Sequence, residues 1–267
     1  MKERLAAAFA KLKEKLSNAT SEGSVKKLYV TAIVIAAVLI IITTVCGAYL
    51  GDYYRADNEA IAEVVGQASS IEIYELRDGV TVFEPAWQSE VGLIFYPGGK
   101  VEARAYEPLM VALASRGIVA VLCEMPFNLA VFNVNAAEGI PEMLPEVDSW
   151  YIGGHSLGGS MAASYLASNK SKIDGLVLLG SYSTEDVTDS RVISIYGSED
   201  RVMNREKYDS YKGNLPTDLS ELVIEGGNHA YFGMYGEQEG DGEAKITPDA
   251  QITLTATKIA EFILKAN

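Results

Sequence analysis

The stretch that decides the predicted fold is residues 151–160, Tyr151-Ile152-Gly153-Gly154-His155-Ser156-Leu157-Gly158-Gly159-Ser160. We expect a strand over residues 149–153, a turn at Ser156 and a helix that begins at Leu157. Glycines lie two residues before and two residues after the serine, which is the G-x-S-x-G spacing of a nucleophile elbow. Small residues are needed because backbones approach closely around a strained turn, and the turn presents the hydroxyl at a helix N-terminus, where N–H groups stabilise negative charge. The stretch therefore predicts Ser156 as a nucleophile, against the alternative of a serine that only caps the helix.

The sequence around this stretch predicts an α/β fold with a mostly parallel central sheet flanked by helices. From residue 91 onward, short apolar runs alternate with helical stretches, which is typical of a buried parallel sheet. Before it, two alternating runs at 71–76 and 80–84, joined by Asp78-Gly79, predict a β-hairpin. The later strands are expected at 91–96, 118–123, 150–153, 175–179, 192–196 and 222–224, and the helices at 103–116, 157–169, 205–212 and 248–265.

Partners for Ser156 are sought downstream. The chain has two histidines; His155 belongs to the elbow and is expected to point away from the serine's side. His229 must then supply any activating imidazole. It lies in a glycine-rich loop directly after the last predicted strand, and an exposed surface histidine is the alternative. The acid is expected after the preceding strand, where Asp200 is favoured and Glu199 is its immediate rival.

Two backbone donors are needed to stabilise an oxyanion. The N–H of Leu157, at the start of the helix, is one candidate. The other is expected at Gly99 or Lys100, in the loop after the strand 91–96, although an ordinary tight turn is the alternative there. The apolar segment 125–132 follows a strand end, where ligands bind in open α/β sheets. We expect Phe127 and Phe132 to bind substrate, with plain core packing as the alternative.

The residues before the sheet predict a membrane anchor. Residues 1–27 carry a net charge of +4 and form a predicted cytoplasmic tail, whose amphipathic helical face is Leu5, Phe9, Leu12 and Leu16. Residues 28–50 contain no charged residue or histidine, and a helix of that length spans the ~30 Å of a bilayer core. An uncleaved signal anchor is favoured over a cleaved signal peptide, since Val45 before Cys46 makes a poor lipidation site. The basic flank places the tail in the cytoplasm and the rest outside the cell, with residues 51–70 as a linker and 71–267 as the catalytic domain.

The charge of the exported part limits its partners. The whole chain carries −14 and residues 1–50 carry +4, so residues 51–267 carry −18. This excess argues against nucleic acid and against close contact with anionic lipid headgroups. The exported part has one cysteine, Cys123, which is expected to be an inert core residue without a disulfide partner.

Four motifs together resemble the α/β-hydrolase superfamily: Tyr96-Pro97-Gly98-Gly99, the elbow, Gly197-Ser198-Glu199-Asp200 and Gly226-Gly227-Asn228-His229. The sequence is most similar to the compact branch of esterase-like and dienelactone-hydrolase-like proteins without a cap, over residues 70–265. It departs from lipases in having Tyr-Pro in the oxyanion loop, and it leaves only about a dozen residues between Leu179 and Val192, where many relatives insert a lid.

The resemblance implies a serine hydrolase that cleaves carboxylic esters, without metal or cofactor, on a small-molecule ester substrate. Short, uncharged acyl esters are expected, because there is no room for a lid. A thioesterase or acyltransferase acting on the cell envelope is the alternative within enzymes, and a non-catalytic binding module is the alternative outside them. The oligomeric state is left open.

Overall fold

A computed structural model describes residues 22–265 together with residues 7, 10, 11 and 14. The predicted amphipathic face of the tail, at Leu5, Phe9, Leu12 and Leu16, lies outside the described residues. Contacts divide the chain into two compact units, Met1–Asp52 and Tyr53–Asn267. In the first unit a single long helix runs over Glu22–Gly51. Its section Lys26–Gly51 is long and apolar enough to cross a membrane, a test that a signal sequence also passes.

The second unit alternates strands and helices in the predicted order. We number the helices from the first unit, so that α1 is Glu22–Gly51. The other helices are α2 Asn58–Gly66, α3 Glu107–Ala114, α4 Ile140–Met143, α5 Leu157–Ser168, α6 Arg205–Tyr211 and α7 Pro248–Leu264. The strands are β1 Ile71–Arg77, β2 Val80–Pro85, β3 Val91–Tyr96, β4 Val119–Cys123, β5 Ser149–His155, β6 Gly175–Leu179, β7 Arg191–Gly197 and β8 Ser220–Ile224.

The described strands form one sheet of eight, in the order β1-β2-β4-β3-β5-β6-β7-β8. β1 and β2 are an antiparallel hairpin, turned at Gly79 with a φ of 70°, and β2 pairs antiparallel with β4. All later pairings are parallel. The predicted α/β-hydrolase fold, with its mostly parallel sheet, is confirmed.

Both faces of the sheet are covered. Along β3, Leu93 and Phe95 pack into one apolar cluster while Ile94 and Tyr96 pack into another, as the alternation of a strand requires. The first cluster includes side chains of α2, α3 and α7, and the second includes side chains of α5. Because both faces are buried, the central strands are continuous apolar runs, and their carboxyl ends meet at one edge where loops gather.

Residues 53–57 are joined to the loops at that edge. The N–H of Tyr54 donates to the Lys100 carbonyl (2.7 Å), and the N–H of Glu102 donates to the Tyr54 carbonyl (3.0 Å). The N–H of Asp57 donates to the Met234 carbonyl (2.9 Å). The helix α2 then buries Ile61 in the core. The compact unit thus begins before the hairpin.

Candidate active site

Ser156 occupies the strained turn that the sequence predicts. Its φ of 52° and ψ of −121° lie outside the ordinary regions for an L-residue, between the end of β5 and the start of α5. A Cβ on Gly158 would lie 2.2 Å from the Pro97 carbonyl oxygen, and one on Gly154 would lie 2.5 Å from the Gly158 backbone. The two glycines therefore permit the close approach of β3, β5 and α5 that creates the turn.

A histidine and a carboxylate form a buried pair near this turn. Nδ1 of His229 is 2.8 Å from Oδ2 of Asp200, and both side chains are almost completely buried. The other carboxylate oxygen, Oδ1, accepts the N–H groups of Val202 (3.0 Å) and Met203 (2.8 Å). Every oxygen of the acid is thus engaged, which fixes the carboxylate and in turn the imidazole.

Glu199, the rival acid, is directed elsewhere. Its carboxylate forms an ion pair with Lys245 at the surface (2.5 Å), and this pair holds the pKa of Glu199 below its usual value. In the structure Asp200, and not Glu199, is therefore the neighbour of His229.

Backbone contacts connect Ser156 with the pair. The Ser156 N–H donates to the Leu179 carbonyl at the end of β6 (2.8 Å). The next residue, Gly180, has a φ of 51°, and a Cβ there would lie 2.9 Å from Nδ1 of His229. Nε2 of His229 is buried and has no hydrogen-bond partner among the described residues. The nitrogen that faces away from Asp200 is therefore unengaged, and the Ser156 hydroxyl makes no hydrogen bond to it in the structure.

The loop that carries His229 is held by α7. Gln251 makes two hydrogen bonds to the backbone of Asn228. Its Oε1 accepts from the N–H (3.0 Å), and its Nε2 donates to the carbonyl (2.8 Å). On the other side of the histidine, the Ala230 N–H donates to the Asp241 carboxylate (2.9 Å). Asp241, in the acidic loop that follows His229, thus fixes the backbone next to His229.

Of the three amides in the oxyanion loop, two are occupied. The Gly98 N–H donates to the Tyr106 hydroxyl (3.0 Å), and the Lys100 N–H donates to the Asn128 carbonyl (2.7 Å). Lys100, one of the two predicted donors, therefore has its amide committed to another acceptor. In the part of the chain that the structure describes, the Gly99 N–H has no such bond. The Leu157 N–H, at the first position of α5, has no acceptor within its own helix.

His155 lies next to the loop that carries His229. Its ring packs 4.4 Å from the ring of His229, between centroids. The expectation that it points away from the serine's side stays a prediction. Its Nδ1 lies 2.7 Å from the Tyr106 hydroxyl. Nothing in the sequence marks Tyr106, which is 49 residues away.

The two predicted substrate-binding aromatics lie on the surface. Phe127 and Phe132 are 59% and 58% exposed, and their rings meet edge to face at 5.8 Å. For these two rings the alternative of core packing is wrong, whereas Met125 and Ala130 of the same segment are buried in the core. Phe127 and Asn128 both have positive φ, and the Asn128 carbonyl binds the Lys100 N–H, so the segment adjoins the oxyanion loop.

No cluster of three His, Cys, Asp or Glu side chains within the described part of the chain is arranged to hold a metal ion. The expectation of a reaction without metal or cofactor stays a prediction.

Comparison with known proteins agrees with this geometry. The model of a family described as "Alpha/beta hydrolase family" matches residues 92–253. Among curated proteins no sequence matches this chain. Many solved structures are similar in fold, and three of them illustrate the likeness. Thermogutta terrifontis esterase 2 phosphoramylated by tabun is 14% identical, with a TM-score of 0.54 over 75% of this chain and 96% of that one.

The other two are Est1E from Butyrivibrio proteoclasticus and a predicted CIB-like hydrolase from Thermoplasma acidophilum. Est1E is 15% identical, with a TM-score of 0.52 over 74% of this chain and 98% of that one. The Thermoplasma hydrolase is 15% identical, with a TM-score of 0.50 over 72% and 97%. At such identities the likeness concerns the fold alone.

Proposed function

This chain belongs to the alpha/beta hydrolase family, and on that premise we propose that it is a serine hydrolase that cleaves carboxylic esters through an acyl-enzyme. The observation that carries the proposal is the buried pair of His229 and Asp200 (2.8 Å), which Leu179 and Gly180 connect with a serine held in a strained elbow. A binding module would not require a histidine with one nitrogen fixed by a carboxylate and the other left unpartnered. The fold shared with Thermogutta terrifontis esterase 2 supports the proposal.

Each group has a defined role. Oγ of Ser156 attacks the ester carbonyl while Nε2 of His229 takes its proton, and Asp200 holds the tautomer and stabilises the imidazolium. The N–H groups of Leu157 and Gly99 bind the oxyanion. The C–O bond then breaks, and the alcohol leaves with the proton from His229. Water, deprotonated by the same histidine, splits the acyl-enzyme and releases the carboxylic acid.

The substrates we propose are short, soluble, uncharged acyl esters. Only residues 180–190 connect β6 to β7, so no hinged cover is available there. Phe127 and Phe132 offer an apolar but open surface next to the oxyanion loop. The acidic residues Glu237 and Glu239 in the loop after His229 disfavour an anionic leaving group.

The proposed function is tested with aryl esters from acetyl to palmitoyl, assayed with the full chain in detergent or nanodiscs. We expect turnover to be highest for acetyl and butyryl esters, with no rise as the ester concentration passes its micelle threshold. Fastest turnover on palmitoyl esters with a jump at that threshold would instead indicate a lipase. Failure to cleave any ester would refute the proposed function.

We further propose that residues 28–50 anchor the chain as a single span, with the tail in the cytoplasm and the catalytic domain outside. The charge-free run and the basic flank before it support this arrangement. Protease added to intact cells is expected to digest the part after residue 51 and to spare a tag on the N-terminus. Protection of the catalytic domain would contradict the orientation, and a mature chain beginning near Cys46 would indicate cleavage instead of anchoring.

A further inference from the structure

A buried path of contacts connects the oxyanion loop with the base. The Gly98 N–H donates to the Tyr106 hydroxyl (3.0 Å), the hydroxyl lies 2.7 Å from Nδ1 of His155, and the His155 ring packs against His229. Tyr106 is fully buried and His155 is 1% exposed. The proposed mechanism gives neither side chain a task.

The hydrogen bonds along this path have one consistent direction. A backbone N–H only donates, so the Tyr106 oxygen accepts from Gly98. Among the described residues, Nδ1 of His155 is the one acceptor within reach of the phenol hydrogen. We therefore assign Tyr106 as the donor to Nδ1 and place the proton of His155 on Nε2, which is buried and has no hydrogen-bond partner among the described residues.

Both groups stay neutral in this arrangement. Burial raises the pKa of Tyr106, because the charged phenolate is disfavoured in an apolar environment. Burial also lowers the pKa of His155 well below its usual value, and the nearby His229 lowers it further. A neutral His155 avoids two positive rings in contact when His229 takes the serine's proton.

Gly98 of the oxyanion loop packs closely against the side chains of Tyr106 and His155. A Cβ on Gly98 would lie 2.7 Å from both the Tyr106 oxygen and Nδ1 of His155. The Tyr106 hydroxyl thus accepts the Gly98 N–H on one side of the loop, and the Asn128 carbonyl accepts the Lys100 N–H on the other side. The Gly99 amide between them has no acceptor among the residues that the structure describes.

We propose that Tyr106 and His155 are positioning residues, which fix the oxyanion loop so that the Gly99 N–H points at the reacting carbonyl and which support the His229 ring. The inference rests on the proposed function. A positioning role and plain core packing predict different effects when the Tyr106 hydroxyl is removed. A positioning role predicts that the loss affects the transition state more than the bound substrate, because the oxyanion exists only in the transition state.

The test is Tyr106→Phe, which keeps the ring and removes the hydroxyl. For a short aryl ester we expect kcat to fall about 10- to 100-fold, because a displaced Gly99 N–H would stabilise the oxyanion only in part. KM should change less than about twofold. Affinity for a trifluoromethyl ketone, which forms a tetrahedral adduct with the serine, should fall by a similar factor.

The matched control is Tyr235→Phe. Tyr235 is a buried neighbour whose ring centroid lies 6.4 Å from that of Tyr106, but its hydroxyl bonds to Gln238. We expect this variant to keep the wild-type kcat. Equal losses of kcat in the two variants, or an unchanged kcat in Tyr106→Phe, would overturn the inference while the active wild type upholds the proposed function.

A second pair of variants keeps the inference testable if Tyr106→Phe does not fold. His155→Gln places a carbonyl oxygen that can accept from Tyr106, whereas His155→Leu does not. We expect His155→Gln to retain at least about tenfold more kcat than His155→Leu at a similar Tm. Equal kcat values would overturn the role of the hydrogen bond. A wild type that cleaves no ester would remove the proposed function, and the inference with it.

Discussion

Replacing Ser156 with alanine is expected to lower kcat for a short aryl ester about 10⁴- to 10⁶-fold, with little change in Tm. The reason is that no other described hydroxyl occupies the elbow, so the attacking atom is lost while the fold is kept. A fluorophosphonate reagent should label the wild type on the peptide that contains Ser156, because such reagents react with an activated serine hydroxyl. Label and activity should both disappear from the variant.

Ser160→Ala is the control for this change. Ser160 lies one turn further along α5, and its hydroxyl donates to the Tyr182 carbonyl (2.8 Å). It also lies 3.2 Å from the Ser181 hydroxyl, which donates to the Ser156 carbonyl (2.6 Å), so it adjoins the elbow without being the attacking group. We expect labelling to persist and kcat to stay within about threefold of the wild type. If Ser156→Ala were still labelled, the nucleophile would have to be sought elsewhere.

Asp200→Asn is expected to lower kcat about 10⁴-fold while the chain still folds. The structure shows why an amide cannot replace the carboxylate. The Oδ1 position receives two N–H donors, from Val202 and Met203, so the amide oxygen must take that place. The NH₂ group is then turned toward Nδ1 of His229. It donates there, the imidazole keeps its proton on Nε2, and Nε2 can no longer take the proton of Ser156.

The control is Glu199→Gln, which removes the adjacent carboxylate and its exposed ion pair with Lys245. We expect kcat to stay within about twofold, because exposed pairs contribute little and this one does not contact His229. Steady-state kinetics and Tm measurements on both variants test which of the two carboxylates is the acid. A large loss in Glu199→Gln with a mild one in Asp200→Asn would move the acid to Glu199.

The parts of the fold that could be predicted are those where the sequence pattern has one physical cause. β3 and β6 have the boundaries expected, since a strand buried on both faces is a continuous apolar run, here ended by Pro97 and Gly180. The elbow is as predicted because only glycine fits where a Cβ would lie 2.2 Å from a carbonyl. The placement of Asp200 beside His229 follows from the order of β7 and β8 in the sheet.

The parts that could not be predicted depend on contacts between distant residues. The apolar run at 125–132 has the composition of core, but the structure gives Phe127 and Asn128 positive φ and leaves Phe127 exposed. Whether the Lys100 amide is free depends on the Asn128 carbonyl, which sequence spacing does not reveal. The same is true of Tyr106 and His155, where neither residue type nor periodicity indicates the hydrogen bond.

The bonding of residues 54–57 to both active-site loops has a consequence for cutting the chain. A soluble fragment that starts at residue 71, where the hairpin begins, would lose the bonds from Tyr54 to Lys100 and Glu102 and the bond from Asp57 to Met234. It would also lose the buried Ile61, about 2 kcal/mol of apolar burial. A fragment that starts at Tyr53 keeps all of these. A cut that leaves every one of these bonds in place must accordingly fall before Tyr53.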